Sequence, residues 1–323
     1  MPATLEFQIT LTPTFPLPFQ TISIVWVSNP LTLPIISCDA MSYVVGQIFG
    51  GFGNQLFQYA AAQSVAMKTG RRPIFWHAGH LTPERPYALS RLVASEQLLT
   101  DPQNRLLQWY VEPKGARVAR TLAALLRLPC RVNWLIDKQQ GYDPRIDSIP
   151  GLLVLWGFWQ SERYFSQIGQ TIAGSIRRAF QIEPLAQRET SVCVHVRRGD
   201  YVGNAHLALT PMDYFERAIS YMRSKLTAPR FTVFSDDPRW CREQFRQFGD
   251  VTVPDNSGRQ EDQFSEFSQM SACDHFIISN SSFSWWAAWL GTCPDKIVVT
   301  PTRWFLPGAK AQFHPGLDSW VRM

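Results

Sequence analysis

A histidine, two arginines and a carboxylate fall together in the run His195-Val196-Arg197-Arg198-Gly199-Asp200-Tyr201, which closes the alternating pattern Ser191 to Val196. Side chains on a strand alternate between faces. Val192, Val194 and Val196 therefore point one way, and Cys193, His195 and Arg197 the other. An imidazole and a guanidinium leave the strand's carboxyl end together, with a glycine turn and Asp200 just beyond. In open α/β sheets that edge is where ligands bind. A guanidinium fork suits phosphate oxygens, so the chemistry indicated is recognition of an anionic ligand, a nucleotide first among them. The plainer alternative is a surface Arg–Asp pair that closes a strand.

Two other segments have the composition of ligand loops. Gly50-Gly51-Phe52-Gly53-Asn54-Gln55 lies between a strand pattern and a helix pattern. It is not the dinucleotide fingerprint, because Leu56 stands where the third glycine belongs and no acidic residue follows about 20 residues later. It is not a P-loop either, since no Gly-Lys-Ser/Thr follows. What remains is a backbone able to approach a ligand closely, with the Asn54 side chain beside it, or an ordinary tight turn. The run Ser279-Asn280-Ser281-Ser282-Phe283-Ser284-Trp285-Trp286 sits where a strand gives way to a helix. Amides and hydroxyls at a helix N-terminus make an anion site; simple capping by serine is the alternative. Trp285, Trp286 and Trp289 are expected in the core.

Asp236 and Asp237 precede Pro238. One is expected to cap a helix, while the other could accept from a guanine or ribose edge. They do not form an Asp-x-Asp metal motif, and the chain has none. His77 and His80 lie three apart with no carboxylate close by, so no metal site is expected there. An arginine and a helix N-terminus can supply compensating charge at a diphosphate instead.

The elements that must position these residues repeat as strand, loop, helix. Tyr43 to Phe49 reads as a strand, Gln55 to Thr69 as an alanine-rich helix ending at Gly70, and Arg72 to Trp76 as the next strand. This βαβ opening predicts a parallel sheet. A basic helix is expected over residues 115–128 and a strand over Leu152 to Trp156. Residues Glu183 to Thr190 are the best linker. Beyond it, Thr210 is expected as the N-cap of a helix with Pro211 at its first position, its stripe Phe215, Ile219, Met222 and Leu226 facing the core. Strands at Phe231 to Phe234, His275 to Ile278 and Lys296 to Thr300, with helices at Pro238 and over Glu261 to Cys273, complete a second βα set. Two consecutive βα domains facing across a cleft is the economical reading.

Composition narrows the class. A chain of 323 residues suggests roughly two domains. The formal charge of +5 is modest and not gathered in a Lys/Arg block, which disfavours a nucleic-acid binder. The six cysteines are widely spaced with no Cys-x-x-Cys, as for reduced, mostly buried thiols. No stretch is long and apolar enough to span a bilayer. Residues 1–40 are Pro/Thr-rich, almost uncharged and lack a basic n-region, so they are expected to be a disordered leader or a mis-assigned start.

Five segments in order resemble the bacterial α-1,2-fucosyltransferases of glycosyltransferase family eleven. They are Gly50 to Tyr59, Gly157-Phe158-Trp159-Gln160-Ser161-Glu162, His195 to Val202, Phe234-Ser235-Asp236-Asp237-Pro238 and Asn280 to Trp286. Ala287 departs from the pattern where glycine is common, and the leader has no counterpart. The resemblance implies an α/β fold of GT-B type, two Rossmann-like domains facing across a cleft. Residues 41–185 would form the acceptor-side domain and 186–323 the GDP-fucose-binding domain. It further implies inverting transfer from GDP-fucose to the 2-hydroxyl of a terminal β-galactose, with no cofactor and no obligatory metal. Arg197 would be the β-phosphate ligand with His195 beside the nucleotide, and Asp236 a guanosine contact. Ser281, Ser282 and Phe283 would meet the diphosphate, and Gly53 and Asn54 the fucose and β-phosphate. Arg198 belongs with the donor-binding group. Asp200 is either the base for the acceptor hydroxyl or the partner of Arg198 in a salt bridge. Trp159 and Gln160 would line the acceptor site. A cytoplasmic setting is expected, either free or peripheral at the inner membrane face. For the basic helix a solvated face is the preferred reading. The competing readings are a transferase with another sugar nucleotide or acceptor hydroxyl, and a catalytically idle nucleotide-sugar-binding module.

Overall fold

The computed structural model describes residues 43–77, 81–83, 85–99, 111, 132–138, 141–184, 189–203, 208–254, 263–306 and 313–323. The leader, the basic helix expected over 115–128, His80, Cys38 and Cys130 lie outside them, as does the middle of the expected linker. A first sheet is built from β1 (Tyr43–Gln47), β2 (Arg72–Trp76), β3 (Val132–Ile136) and β4 (Leu152–Trp156), in the order β2-β1-β4-β3. A second is built from β5 (Ser191–Val196), β6 (Arg230–Ser235), β7 (Val251–Thr252), β8 (His275–Ile277), β9 (Val298–Thr300) and β10 (Val321–Arg322), in the order β10-β9-β8-β5-β6-β7. Every strand ladder in both is parallel. This is the two-unit α/β architecture of GT-B type that was expected.

Each sheet has one topological switch point. In the first, β1 leads to β2 on one side and has β4 on the other; in the second, β5 leads to β6 and has β8 on the other. Crevices at such points, beyond the strands' carboxyl ends, are where α/β sheets hold ligands. The turn Gly50–Gly51 follows β1 and the Gly157–Gln160 segment follows β4. The His195–Asp200 run follows β5 and Ser279–Ser282 follows β8. Four of the five motifs thus lie at switch points because of strand order, not sequence proximity.

Helix α1 (Phe52–Thr69) is buried nearly all round, as expected of a helix packed on two sides. It lies between the first sheet and α6 (Ser282–Leu290) of the second unit. One core therefore runs from Val44 and Leu153 of the first sheet to Phe276, Trp285 and Trp286 of the second. The Phe57 ring sits 4.5 Å from that of Trp285 and 5.0 Å from that of Trp286. Phe52 meets Phe180 at 5.0 Å and Phe267 at 5.0 Å, at the ends of α2 (Gly169–Phe180) and on α5 (Gln263–Ser271). Such tilted and edge contacts are the favoured aromatic geometries. The opposite face of the second sheet places Val192, Val194 and Val196 against Tyr214, Phe215, Ile219 and Met222 of α3 (Met212–Lys225). The alternation read along β5 holds, since Cys193 belongs to the shared core instead.

Strand β1 ends at Gln47 rather than Phe49, β9 begins at Val298 rather than Lys296, and two helix starts shift. Helix α1 begins at Phe52 rather than Gln55, because Gly51 is already its extended N-cap; Gly53 and Asn54 therefore sit in its first turn. Helix α3 begins at Met212 with Pro211 as cap. Thr210 caps nothing there; its hydroxyl donates to Asn280 Oδ1 at 3.2 Å.

Candidate active site

At the carboxyl end of β5, Arg197 is held on two sides. Its Nε and Nη2 donate to Asp200 Oδ1 at 3.0 and 2.6 Å, and its Nη1 lies 3.1 Å from Asp236 Oδ2. Burial alone would lower this guanidinium, but Asp236 and Asp200 outweigh it and raise it, so its charge is permanent. Asp236 also accepts from the Arg198 amide at 2.8 Å. That approach explains Gly199: a Cβ there would come within 2.5 Å of Asp236 Oδ2. Asp237 caps α4 (Pro238–Phe245) by accepting from the Trp240 amide, as one of the two aspartates was expected to do. Its other oxygen accepts from Arg198 Nε at 3.0 Å, while the Arg198 guanidinium lies 3.9 Å over the Trp240 ring. The anticipated Asp200–Arg198 salt bridge is therefore corrected. Arg198 turns to Asp237, and Asp200 pairs with Arg197.

His195 is buried beneath this layer and shares a 3.0 Å hydrogen bond through Nδ1 with Ser279 Oγ. Burial, with the charge of Arg197 adding to it, pushes its imidazole down to about 3. The ring is neutral at working pH, which suits a hydrogen-bonding part and not that of a proton acceptor.

Helix α6 starts directly after β8, and its N-cap Ser281 makes no side-chain capping bond. The simple serine-cap alternative thus does not hold for Ser281. Helix α1 likewise has no side-chain cap, and neither helix carries an acidic residue in its first turn. The two N-termini abut: a Cβ on Gly53 would lie 2.4 Å from the Ser282 carbonyl carbon and 2.5 Å from the Phe283 amide nitrogen. Two positive helix ends lie at the junction of the two units, and Arg197 is tied to the same junction through Asp200 and Arg85. Gly53 was expected to face the donor; its missing side chain instead admits the backbone of Ser282 and Phe283. The Phe283 ring lies 5.9 Å from that of His195.

From the first unit, Asn54 Oδ1 accepts from Gln160 Nε2 at 2.7 Å, so a donor-side and an acceptor-side candidate are bound to each other. Phe49 and Phe158 stack their edges nearby, with centroids 4.9 Å apart. Trp159 is corrected. Only 1% of it is exposed, its amide donates to Asp137 at 2.9 Å, and its ring packs edge-on against Tyr164. Its backbone has a φ of 56°, the left-handed region disfavoured for a bulky residue. That turn drives the indole into the core.

Three contributors went unseen in sequence. Tyr201 donates its hydroxyl to the Asn280 carbonyl at 2.9 Å, joining the loops after β5 and β8. Asn280 donates to the carbonyls of Ala208 and Trp304. Arg85, 115 residues before Asp200, pairs with it at 2.7 Å from the other unit. No local pattern marks Arg85, whereas Tyr201 and Asn280 were inside quoted motifs. Among the described residues, no three His, Cys, Asp or Glu side chains gather as a metal site, and no helix is long and apolar enough to cross a membrane.

Comparison with known proteins gives consistent matches. Residues 138–316, more than half of the chain, match the family described as Glycosyl transferase family 11. An α-1,2-colitosyltransferase of Escherichia coli is 29% identical over 300 residues, covering 88% of this chain and 99% of that protein. The galactoside α-(1,2)-fucosyltransferase 1 of Mico humeralifer is 26% identical over 302 residues, covering 82% and 74%. Among solved structures, the fucosyltransferase NodZ from Bradyrhizobium aligns with a TM-score of 0.41 and 16% identity, over 76% of this chain and 91% of NodZ.

Proposed function

The chain belongs to glycosyl transferase family 11, and from that premise we propose that it transfers L-fucose from GDP-fucose to the 2-hydroxyl of a terminal β-galactose, with inversion to an α-1,2 linkage. The observation that carries this reading is the abutment of two uncapped helix N-termini, α1 and α6, in a protein whose Arg197 guanidinium is fixed at the carboxyl end of β5. Transfer breaks the bond between the fucose anomeric carbon and the β-phosphate oxygen, and forms one from that carbon to the acceptor oxygen. Negative charge grows on the departing GDP, while the acceptor hydroxyl gives up its proton. A fixed guanidinium and oriented amides then stabilise the transition state more than the bound donor.

In this reading residues 186–323 bind the donor and residues 41–185 form the acceptor side. Arg197 holds the β-phosphate, with the hydroxyls of Ser281 and Ser282 and the amides of Ser282 and Phe283 around the diphosphate. Asp236 reaches the guanosine, and Arg198 packed on Trp240 borders it. His195 donates or accepts a hydrogen bond as a neutral ring. Asn54 and Gln160 face the sugars as a bonded pair. Asp200, with an arginine on each oxygen, acts first as a charge neutraliser, and the role of acceptor base is secondary to that. No metal is needed for this charge balance, and unchanged turnover in a chelator would support that part. The protein works in the cytoplasm, free or peripheral at the inner membrane face.

One observation favours a second donor: the relative matched over 99% of its own length is named a colitosyltransferase. Colitose is fucose without its 3-hydroxyl. A donor panel separates the readings. Turnover with GDP-fucose well above GDP-colitose supports the proposal, a reversed preference replaces fucose by colitose, and use of UDP-sugars alone contradicts both.

A further inference from the structure

Gln55, fully buried in α1, acts as a bracket for a segment far along the chain. Its Nε2 donates to the carbonyls of Gly50 at 2.9 Å and Pro86 at 2.8 Å, and its Oε1 accepts from the Ala88 amide at 2.9 Å. Ala88 and Leu89 continue into the shared core. The stretch before them is thereby pinned beside the turn after β1. One residue ahead of the pin, Arg85 reaches across to the second unit and places Nη2 2.7 Å from Asp200 Oδ2. The other oxygen of Asp200 faces Arg197.

This pair is half exposed, at 49% and 35% of the side chains, and exposed ion pairs add little to fold stability. Its position matters more than its strength. Asp200, Arg197 and Asp236 form a chain of contacts with two negative charges and one positive. Arg85 brings that chain to neutrality. Without it, the negative charge of Asp200 would bear more fully on Arg197 and on any anion approaching it.

We propose that Arg85 is a positioning residue of the donor site: by sharing the charge of Asp200 from the opposite unit, it weakens the hold of Asp200 on the Arg197 fork, which the diphosphate must displace. The inference rests on the reading of Arg197 as a phosphate ligand. It also gives a reason for the glutamine in the Gly-x-Gly-Asn-Gln segment, since Gln55 holds the strand of chain that delivers Arg85.

Binding of GDP and of guanosine to the full-length protein, measured by calorimetry, tests this. Arg85→Ala should weaken GDP about three- to fivefold, the upper end of what losing one partly exposed charge partner costs, and leave guanosine unchanged. Arg85→Lys should recover most of the loss. In an Asp200→Asn background the same alanine substitution should move GDP affinity less than about twofold, because neighbouring residues couple only through the shared contact. Arg197→Ala serves as the control. If it abolishes GDP binding while Arg85→Ala changes nothing, or weakens GDP and guanosine alike, the role given to Arg85 is overturned. If Arg197→Ala itself leaves GDP affinity intact, the phosphate reading fails and takes this inference with it.

Discussion

Gly53 and Ser282 touch backbone to backbone: a Cβ on the glycine would sit 2.4 Å from the serine carbonyl carbon. The contact joins the N-terminus of α1 in one unit to that of α6 in the other. Backbone cannot give way as a flexible side chain can, so Gly53→Ala must push α1 and α6 apart. The expected cost is about 1–3 kcal/mol of stability, together with a large loss of kcat/KM. Gly51→Ala is the matched control, since nothing lies within 4 Å of its added methyl. Thermal unfolding and transfer rates of the two variants check this, and equal behaviour would contradict the contact.

Arg197→Ala should lower transfer about a hundredfold or more, the scale of removing one donor from a developing anion, and leave the fold intact because the side chain is partly exposed. Arg197→Lys should recover only part, since an ammonium cannot replace the planar fork. Single-turnover rates with saturating donor would show whether the loss is in chemistry or binding.

Much of this arrangement was legible in the chain. Alternation from Ser191 to Val196 told which face Cys193 takes and which the three valines take, because a strand's period leaves no other choice; Arg197 lies just past the strand's end. The small-residue run after β8 marked a helix start for the same local reason. Contacts between units were not legible. Nothing near Gly53 announces that Ser282 fills its empty side, and nothing near residue 85 points to residue 200. Trp159 misled because an aromatic in a polar motif looks like a sugar platform, whereas its left-handed backbone turns the ring inward. Asp200 was paired with its sequence neighbour Arg198, but Asp237 sits closer to that arginine once β5 and β6 lie side by side.

His195 gives a pH prediction with a defined sign. Its folded value, about 3, lies below the ordinary value of 6.5 because burial excludes the charged ring. Between these pH values the unfolded chain binds the extra proton. This residue's contribution is therefore present above about pH 6.5 and is lost as pH falls toward 3, by up to ~1.4 kcal/mol per pH unit. His195→Gln should flatten the fall in unfolding temperature between pH 7 and 4.5. The acid limb of the transfer rate should stay where it is in that variant. A shift would mean that the imidazole titrates during catalysis.

Lys296 stabilises the far end of α6. Its Nζ donates to the carbonyls of Ala288 at 2.8 Å, Trp289 at 3.0 Å and Gly291 at 2.8 Å, and Arg177 donates to that of Leu290. Cations at this end complement the helix dipole whose positive end faces the junction. Lys296→Met would leave buried carbonyls without their donor, at a cost of about 1–3 kcal/mol. Chemical denaturation should show that loss, and an unchanged midpoint would mean that water replaces the ammonium without cost.

The proposed reaction moves a fucosyl group onto galactose. Its most direct test is transfer from GDP-fucose to a panel of terminal β-galactosides in the presence of a chelator, with product linkage read by NMR and Arg197→Ala run alongside. An α-1,2-fucosyl galactose is expected from the wild type, and about a hundredfold less or none from the variant. GDP-fucose binding with neither transfer nor hydrolysis on any acceptor would contradict it and leave a nucleotide-sugar-binding protein in its place.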